Sequence, residues 1–397
     1  MARLLTIEEA LERILSHVRP AGAELVQTEE SAGRVLAAPV VALTDLPPFP
    51  SSAMDGFAVR AAETPGAFPV AVRIAAGRPA DRMLRPGEAM GIATGGALPD
   101  GADAVVPIER AVDRDDEVEI EEAASAGDNV RPRGGDVRAG DEVLPAGTRV
   151  SASQIGAIAA AGLAQVSCAI RPRAVVLTTG TELRPAGSTL GPGEIYESNG
   201  AMLAAVLRSA GALVERLDPV ADDETSHRAA LERGLRADVL VTTGGVSVGP
   251  HDLVRAIEAE LGVEEVFWGV AVRPGKPLAF GVRDRTLVFG LPGNPVSSLV
   301  GAELFVRPAV LALQGATLVH SRWDRGTLVA PLRRNAARDE LARARSRDGE
   351  AGVELVPVSG QESHMIVRAA GADALVLVPR GDGEVGAGTS VRYLRLA

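Results

Sequence analysis

Apolar and polar positions recur with two different periods along this chain, and the change of period divides it. Near the start, Ile7, Leu11, Ile14, Leu15 and Val18 follow helical spacing and form one stripe. Thr6 and Glu9 make a capping box ahead of it. In the middle third, apolar runs of strand length alternate with helical patterns. Residues 173–179 (RAVVLTT), 213–220, 237–243 (ADVLVTT) and 286–291 are expected strands. Residues 199–211, 222–235, 252–261 and a segment from Val296 onward are expected helices. Strand, helix, strand at this rhythm implies right-handed crossovers and a parallel sheet. Runs such as VVL and VLV suit strands covered on both faces.

The flanks read differently. Residues 43–140 are rich in Pro, Gly and short alternating runs such as FPVAVRIAAG and DEVEIEE, which predicts a separate β-rich region. The acidic stretch DRDDEVEIEE near Asp113 reads as a solvated hairpin. From residue 321 onward, TLVAPL, VELVPV, ALVLVP and SVRYLRL are short strands of a small C-terminal β-domain. A helix is expected there only at 336–345. The run 150–170 is uncharged and long enough to be weighed as a membrane span. Ser151, Ser153, Gln154, Gln165 and Ser167 interrupt it, and Gly162 marks a helix end, so it reads as a small-residue helix followed by a strand. The N-terminal stretch carries Glu8, Glu9, Glu12 and Arg13 and is not a signal peptide. A soluble, cytoplasmic protein without a membrane partner is expected.

Composition narrows the field. The 397 residues allow roughly two to four domains. At 46% apolar and 23% charged, the chain can bury ordinary cores. A net charge of −11 and 3% aromatics argue against nucleic acid as a partner. Cys168 is the single cysteine, which rules out an intramolecular disulfide framework and a cysteine zinc site. The five histidines show no pair at metal-ligand spacing. Of the 41 basic residues, only Lys276 is lysine. That is consistent with a general Arg-for-Lys bias, and it also marks Lys276 as a candidate.

Three expected parallel strands end in glycine-rich turns: TTGTEL (178–183), TTGGVSVGPHD (242–252) and LPGNPVS (291–297). Ligands of open α/β sheets bind beyond the carboxyl ends of the strands. Glycine admits an anion close to backbone N–H groups, and a following helix start favours negative charge. A phosphorylated ligand is therefore expected, held by Thr179, Gly180, Gly244, Gly245, Ser247, Gly249, Pro292, Gly293, Asn294 and Pro295. Glu182 and Asp252 beside such a site point to a divalent cation, and Mg2+ is the hard, oxygen-preferring choice. Asp252 equally suits a helix N-cap, as do Asp222 and Asp223. RPGKP (273–277) holds Arg273 and Lys276 in a stiff turn suited to an oxyanion. VRPRGGDVR (130–138) sets Asp136 among Arg131, Arg133 and Arg138. SSAMDG presents Asp55 on a tight turn, and IATGG offers Thr94 as a donor. No Walker A loop or kinase set is present, so catalysis by metal and electrostatics is expected.

SSAMDGFAVR, IATGGALPDGADAVVP, NVRPRGGDVRAGD, TTGTEL, TTGGVSVGPHD, RPGKPLAFG, LPGNPVS and GQESHM follow one another across almost the whole chain. In that order they resemble the molybdopterin molybdenumtransferase (MoeA) family, which includes the E domain of gephyrin. The resemblance implies an α/β multidomain homodimer. It implies a Rossmann-like parallel-sheet domain at 172–320, with an N-terminal helix within 1–22 packed on it. It further implies a linker and dimerisation domain from 23–42 and 141–171, an inserted β-rich domain at 43–140, and a C-terminal β-barrel-like domain at 321–397. The implied reaction is molybdenum insertion into adenylated molybdopterin from molybdate with Mg2+, releasing AMP and molybdenum cofactor. Asp55, Thr94, Arg131, Asp136, Glu182, Asp222, Asp252 and Ser363 match family site positions. The site is expected in a dimer cleft, with SAMDG of one subunit facing TTGG of the other. Glu182 and Asp252 would hold Mg2+, and Arg273 and Lys276 the oxyanion. Family members often carry lysine where this chain has Gly269 and Arg273, and an acid where it has Thr181. Implied partners are a molybdopterin adenylyltransferase upstream and cofactor-accepting enzymes downstream. A scaffold role or the adenylyltransferase step itself are the competing readings; the chain's length and its flanking regions disfavour them.

Overall fold

The computed structural model describes residues 3–220, 223–244, 253–320 and 322–396. Its centre is a six-stranded sheet in the order Leu213–Arg216, Arg173–Thr178, Val239–Thr243, Thr286–Leu291, Ala279–Arg283, Glu264–Trp268. The first four strands are parallel, and the near-continuous burial of the three inner ones follows from helices on both faces. The last two are antiparallel, so the sheet is mixed rather than purely parallel as the rhythm suggested. The reason is local. Asp284, with φ +54°, turns the chain directly back from Ala279–Arg283 into Thr286–Leu291, leaving no room for a crossover.

Helices Asn199–Ser209, Glu224–Gly234 and Leu253–Glu260 cover the sheet. A longer helical rod, Pro295–Leu313, is apolar enough to cross a membrane by length and composition, yet 83% of it is buried in this core. It is two α-helices joined by a π-turn at Ala302–Val306. Pro308 follows that turn and has no N–H to return to the carbonyl one turn back, which accounts for the widening. The N-terminal helix Ile7–Ser16 carries the Thr6–Glu9 capping box and buries Ile7, Ala10 and Ile14 in the same core as Val176, Phe280 and Phe289.

Two β units flank this domain. Residues 56–120 form a six-stranded sheet around Phe57, Val118 and Ile120, including the hairpin Ala111–Asp113 with Glu117–Ile120. Strand Ala23–Gln27 pairs with Gln165–Ala169 and Val40–Val41 with Glu142–Leu144, so the segments on either side of that sheet rejoin around Leu36, Ile158 and Cys168. At the C-terminus, Asp339–Gly349, Gly352–Pro357, Trp323–Leu328, Ser390–Arg395 and Ala374–Val378 pair in turn. The last returns to the first and closes a five-stranded barrel. The helix expected at 336–345 is instead part of the long strand Asp339–Gly349. DELARAR has good helix formers, but Ala342 and Ala344 are needed inside the barrel while Leu341 faces out onto the central core, and two-sided strand pairing overrides propensity.

Candidate functional site

Strand register sets the glycine turns side by side. Thr178 is level with Thr243, and Thr243 with Leu291, so residues 179–180, 244 and 292–294 leave one edge of the sheet together. Above them opens a cavity of about 1140 Å3. Its floor is Thr179, Gly180, Gly244, Gly293 and Asn294. Tyr196 and Asn199 stand on one side, His227, Leu253 and Val254 on the other. His364 and Ile366 reach it from the C-terminal domain. Three helices, beginning at Asn199, Leu253 and Pro295, start at this cavity, an arrangement that favours an anionic ligand.

A buried hydroxyl network ties two turns together. Thr243 Oγ1 donates to the Pro292 carbonyl at 2.9 Å and lies 3.1 Å from Ser298 Oγ. Ser298 also bonds the Pro292 carbonyl. Asn199 Nδ2 donates to Thr243 Oγ1 at 3.0 Å and to the Gly293 carbonyl at 2.7 Å. Gly244 has φ +95°, and a Cβ there would sit 2.6 Å from the Thr179 carbonyl, so only glycine fits. The buried Glu197 carboxylate accepts from the Gly200 N–H at 2.6 Å and from Arg216 at 3.0 Å, anchoring the Asn199–Ser209 helix start.

Several polar groups at the cavity are unsatisfied. Thr178 Oγ1, Asn199 Oδ1 and both His227 ring nitrogens are buried without a hydrogen-bond partner. Such orphans cost about 1–3 kcal/mol each, so they suit a ligand that supplies partners. Glu182 is exposed, and its carboxylate occupies the space that a Cβ on Gly180 would fill, 2.6 Å from Oε2. It has no partner among the described residues. At the cavity the Glu182 carboxylate offers hard oxygen donors. Among the described residues no group of three His, Cys, Asp or Glu could hold a metal. Asp222, Gly245, Ser247, Gly249 and Asp252 lie outside the described residues.

A second cluster forms on the inserted domain, away from the cavity. Ser51–Ser52 pairs with Val130–Arg131, and Ser52 also exchanges backbone bonds with Gly95 and Gly96. Three motifs distant in sequence thereby meet. Asp55 Oδ1 accepts from the Thr94 N–H at 2.6 Å and its hydroxyl at 2.9 Å, and these bonds hold the Asp55 carboxyl below the usual range. Arg131, Arg133 and Asp136 are exposed on the same motif; Arg133 pairs with Asp45, and the Asp136 N–H donates to the Leu46 carbonyl.

Arg273 and Lys276, expected to hold the oxyanion, are not among the residues lining this cavity. Strand Val272–Arg273 pairs with Asp339–Glu340, so Arg273 is drawn to the Glu340 carboxylate at 3.4 Å. Lys276 is exposed and has no side-chain partner among the described residues. Gly269 has φ +90°, and a Cβ there would meet Leu4 Cδ2 at 2.7 Å, so lysine at this position needs a different local backbone. Ser363 contributes its carbonyl, which accepts the Val296 N–H at 3.0 Å. Tyr196, Asn199, His227 and His364 were missed by sequence reasoning. Asn199 carried a faint signal, as a polar residue opening a helix immediately before glycine.

Comparisons with known proteins agree with this geometry. The MoeA N-terminal region (domains I and II) matches residues 5–162. The probable molybdopterin binding domain matches 175–312, and the MoeA C-terminal region (domain IV) matches 325–396. A molybdopterin molybdenumtransferase of Staphylococcus aureus is 33% identical over 395 residues, covering 98% of this chain and 94% of the relative. Molybdopterin molybdenumtransferase 2 of Mycobacterium tuberculosis is 37% identical over 389 residues, covering 94% of each. A solved MoeA protein of molybdopterin biosynthesis from Pyrococcus horikoshii superposes with a TM-score of 0.86 at 25% identity, over 99% of this chain and 100% of that one. This chain belongs to the MoeA family of molybdopterin molybdenumtransferases, transferase enzymes of molybdenum cofactor biosynthesis.

Proposed function

We propose that the protein transfers molybdenum from molybdate into adenylated molybdopterin, with Mg2+, and releases AMP and molybdenum cofactor. The observation that carries this reading is the cavity itself. Three glycine turns and three helix starts converge where a phosphorylated pterin would sit, and four polar atoms there lack partners. The turns bind the ligand's phosphates through backbone N–H groups. Thr178, Asn199 and His227 present donors and acceptors to its polar edges. Glu182 and Asp252 would hold Mg2+, which supplies the positive charge that lets two anions meet. Lys276 follows Gly275, whose Cβ position lies 3.6 Å from the Ser297 carbonyl, so the RPGKP turn packs beside the Pro295–Gly301 helix. We assign Lys276 to the incoming oxyanion. Arg273 shares its charge with Glu340 and is assigned no contact. Holding both reactants in one orientation and offsetting their charge lowers the barrier to displacement of AMP.

The exposed cluster of Asp55, Thr94, Arg131 and Asp136 fits a homodimer in which it faces the cavity of the partner subunit. Leu25 in the linker region and Leu43 where it joins the inserted domain, 72% and 68% exposed, support such an interface. Asp252→Asn and Glu182→Gln should each abolish AMP release without lowering the melting temperature. Unchanged turnover in both variants would sink the metal assignment.

A further inference from the structure

One buried cation outside the cavity has no carboxylate partner among the described residues. Arg343, on the barrel strand Asp339–Gly349, is 1% exposed. Burial pushes its pKa down, opposed by Glu362 and Glu340 at longer range. Burying a guanidinium is costly unless its donors are met. Here they go to a single loop. Nη2 donates to the Gly360 carbonyl at 2.7 Å. Nη1 reaches the carbonyls of Glu362 at 3.3 Å and Met365 at 3.4 Å. Gln361 completes the arrangement: its Oε1 accepts the Arg343 backbone N–H at 2.9 Å, and its Nε2 donates to the carbonyls of Arg343 and Val358, each at 2.9 Å. Gly360 has φ +77°, and a Cβ there would lie 2.6 Å from Met365 Sδ, so the loop is shaped to this packing.

The same loop is the C-terminal domain's contribution to the cavity. His364 and Ile366 line it, and the Ser363 carbonyl caps Val296 in the first turn after PGNP. A rigid fork of donors can fix several carbonyls at once, which a lysine cannot do. We propose that Arg343 is a positioning residue for substrate binding: it fixes residues 360–366 so that His364 and Ile366 close the cavity over bound molybdopterin. This rests on the reading of the cavity as the molybdopterin site.

Molybdopterin affinity is measured by titration of the full-length protein, with melting temperature recorded alongside. Arg343→Gln removes the fork, and Gln361→Ala removes its relay while keeping the arginine. Asn199→Ala is the control within the cavity. The dissociation constant should rise about tenfold in Arg343→Gln and by a smaller factor in Gln361→Ala, with partial recovery in Arg343→Lys. A merely structural arginine would lower the melting temperature and leave affinity unchanged below it. If Arg343→Gln does not fold, Gln361→Ala decides. Wild-type affinity in Gln361→Ala, with binding weakened in Asn199→Ala, overturns the positioning role and leaves the cavity reading intact. Wild-type affinity in all the variants overturns both.

Discussion

Asp55 shows how a single side chain can be tuned without burial. Its carboxylate is exposed, yet two donors from Thr94 stabilise the charged form and lower its pKa. The sign follows directly. A carboxyl with a depressed folded-state pKa adds stability above its unfolded pKa, and that stability is lost as pH falls through the folded value. Thr94→Ala keeps the backbone bond but removes the hydroxyl. The Asp55 pKa should therefore rise part of the way toward the ordinary carboxylate value, as read by NMR titration. An unmoved pKa would show that the backbone N–H alone sets it. In the cavity, Asn199→Ala removes both bonds that join Thr243 to the Gly293 carbonyl, and it should cost about 1–3 kcal/mol in chemical denaturation. Sequence showed the residues of the glycine turns, because their φ needs and hydroxyls are local. It did not show Asn199, His227 or His364, because nothing near them in sequence reveals that distant strands and the barrel bring them to one cavity.

At the scale of elements, period was legible wherever burial is one-sided or complete. Ile7–Ser16, Arg173–Thr178 and Val239–Thr243 fall close to their expected bounds for that reason. Asp339–Gly349 was misread because its helix-forming residues sit in a barrel whose closure is a long-range property. The antiparallel end of the central sheet was missed for a similar reason, since a two-residue turn outweighed the βαβ rhythm. One glycine illustrates what pairing demands. A Cβ on Gly56 would lie 2.0 Å from the Val106 carbonyl, across the pairing of Gly56–Val59 with Ala104–Pro107. Gly56→Ala should cost about 3 kcal/mol, at the upper end for overpacking, because the obstacle is backbone. Denaturant titration checks this; a loss under about 0.5 kcal/mol would mean that the strands part easily.

For the whole molecule, the two clusters of family motifs lie on different units: one at the edge of the central sheet, the other on the inserted domain. Sequence order alone could not separate them, since all the motifs are short and rich in glycine or charge. On the proposed homodimer, in which a second copy of the chain joins the two clusters, Leu43→Glu should shift the sedimentation coefficient toward the monomer and reduce turnover together. Monomeric wild-type protein with full activity would contradict the shared cleft. The proposed chemistry is tested most directly by AMP release from adenylated molybdopterin by the purified protein, with and without molybdate and Mg2+. Release that requires both is the predicted result. Release in the absence of either, or none while the ligand remains bound, would contradict it.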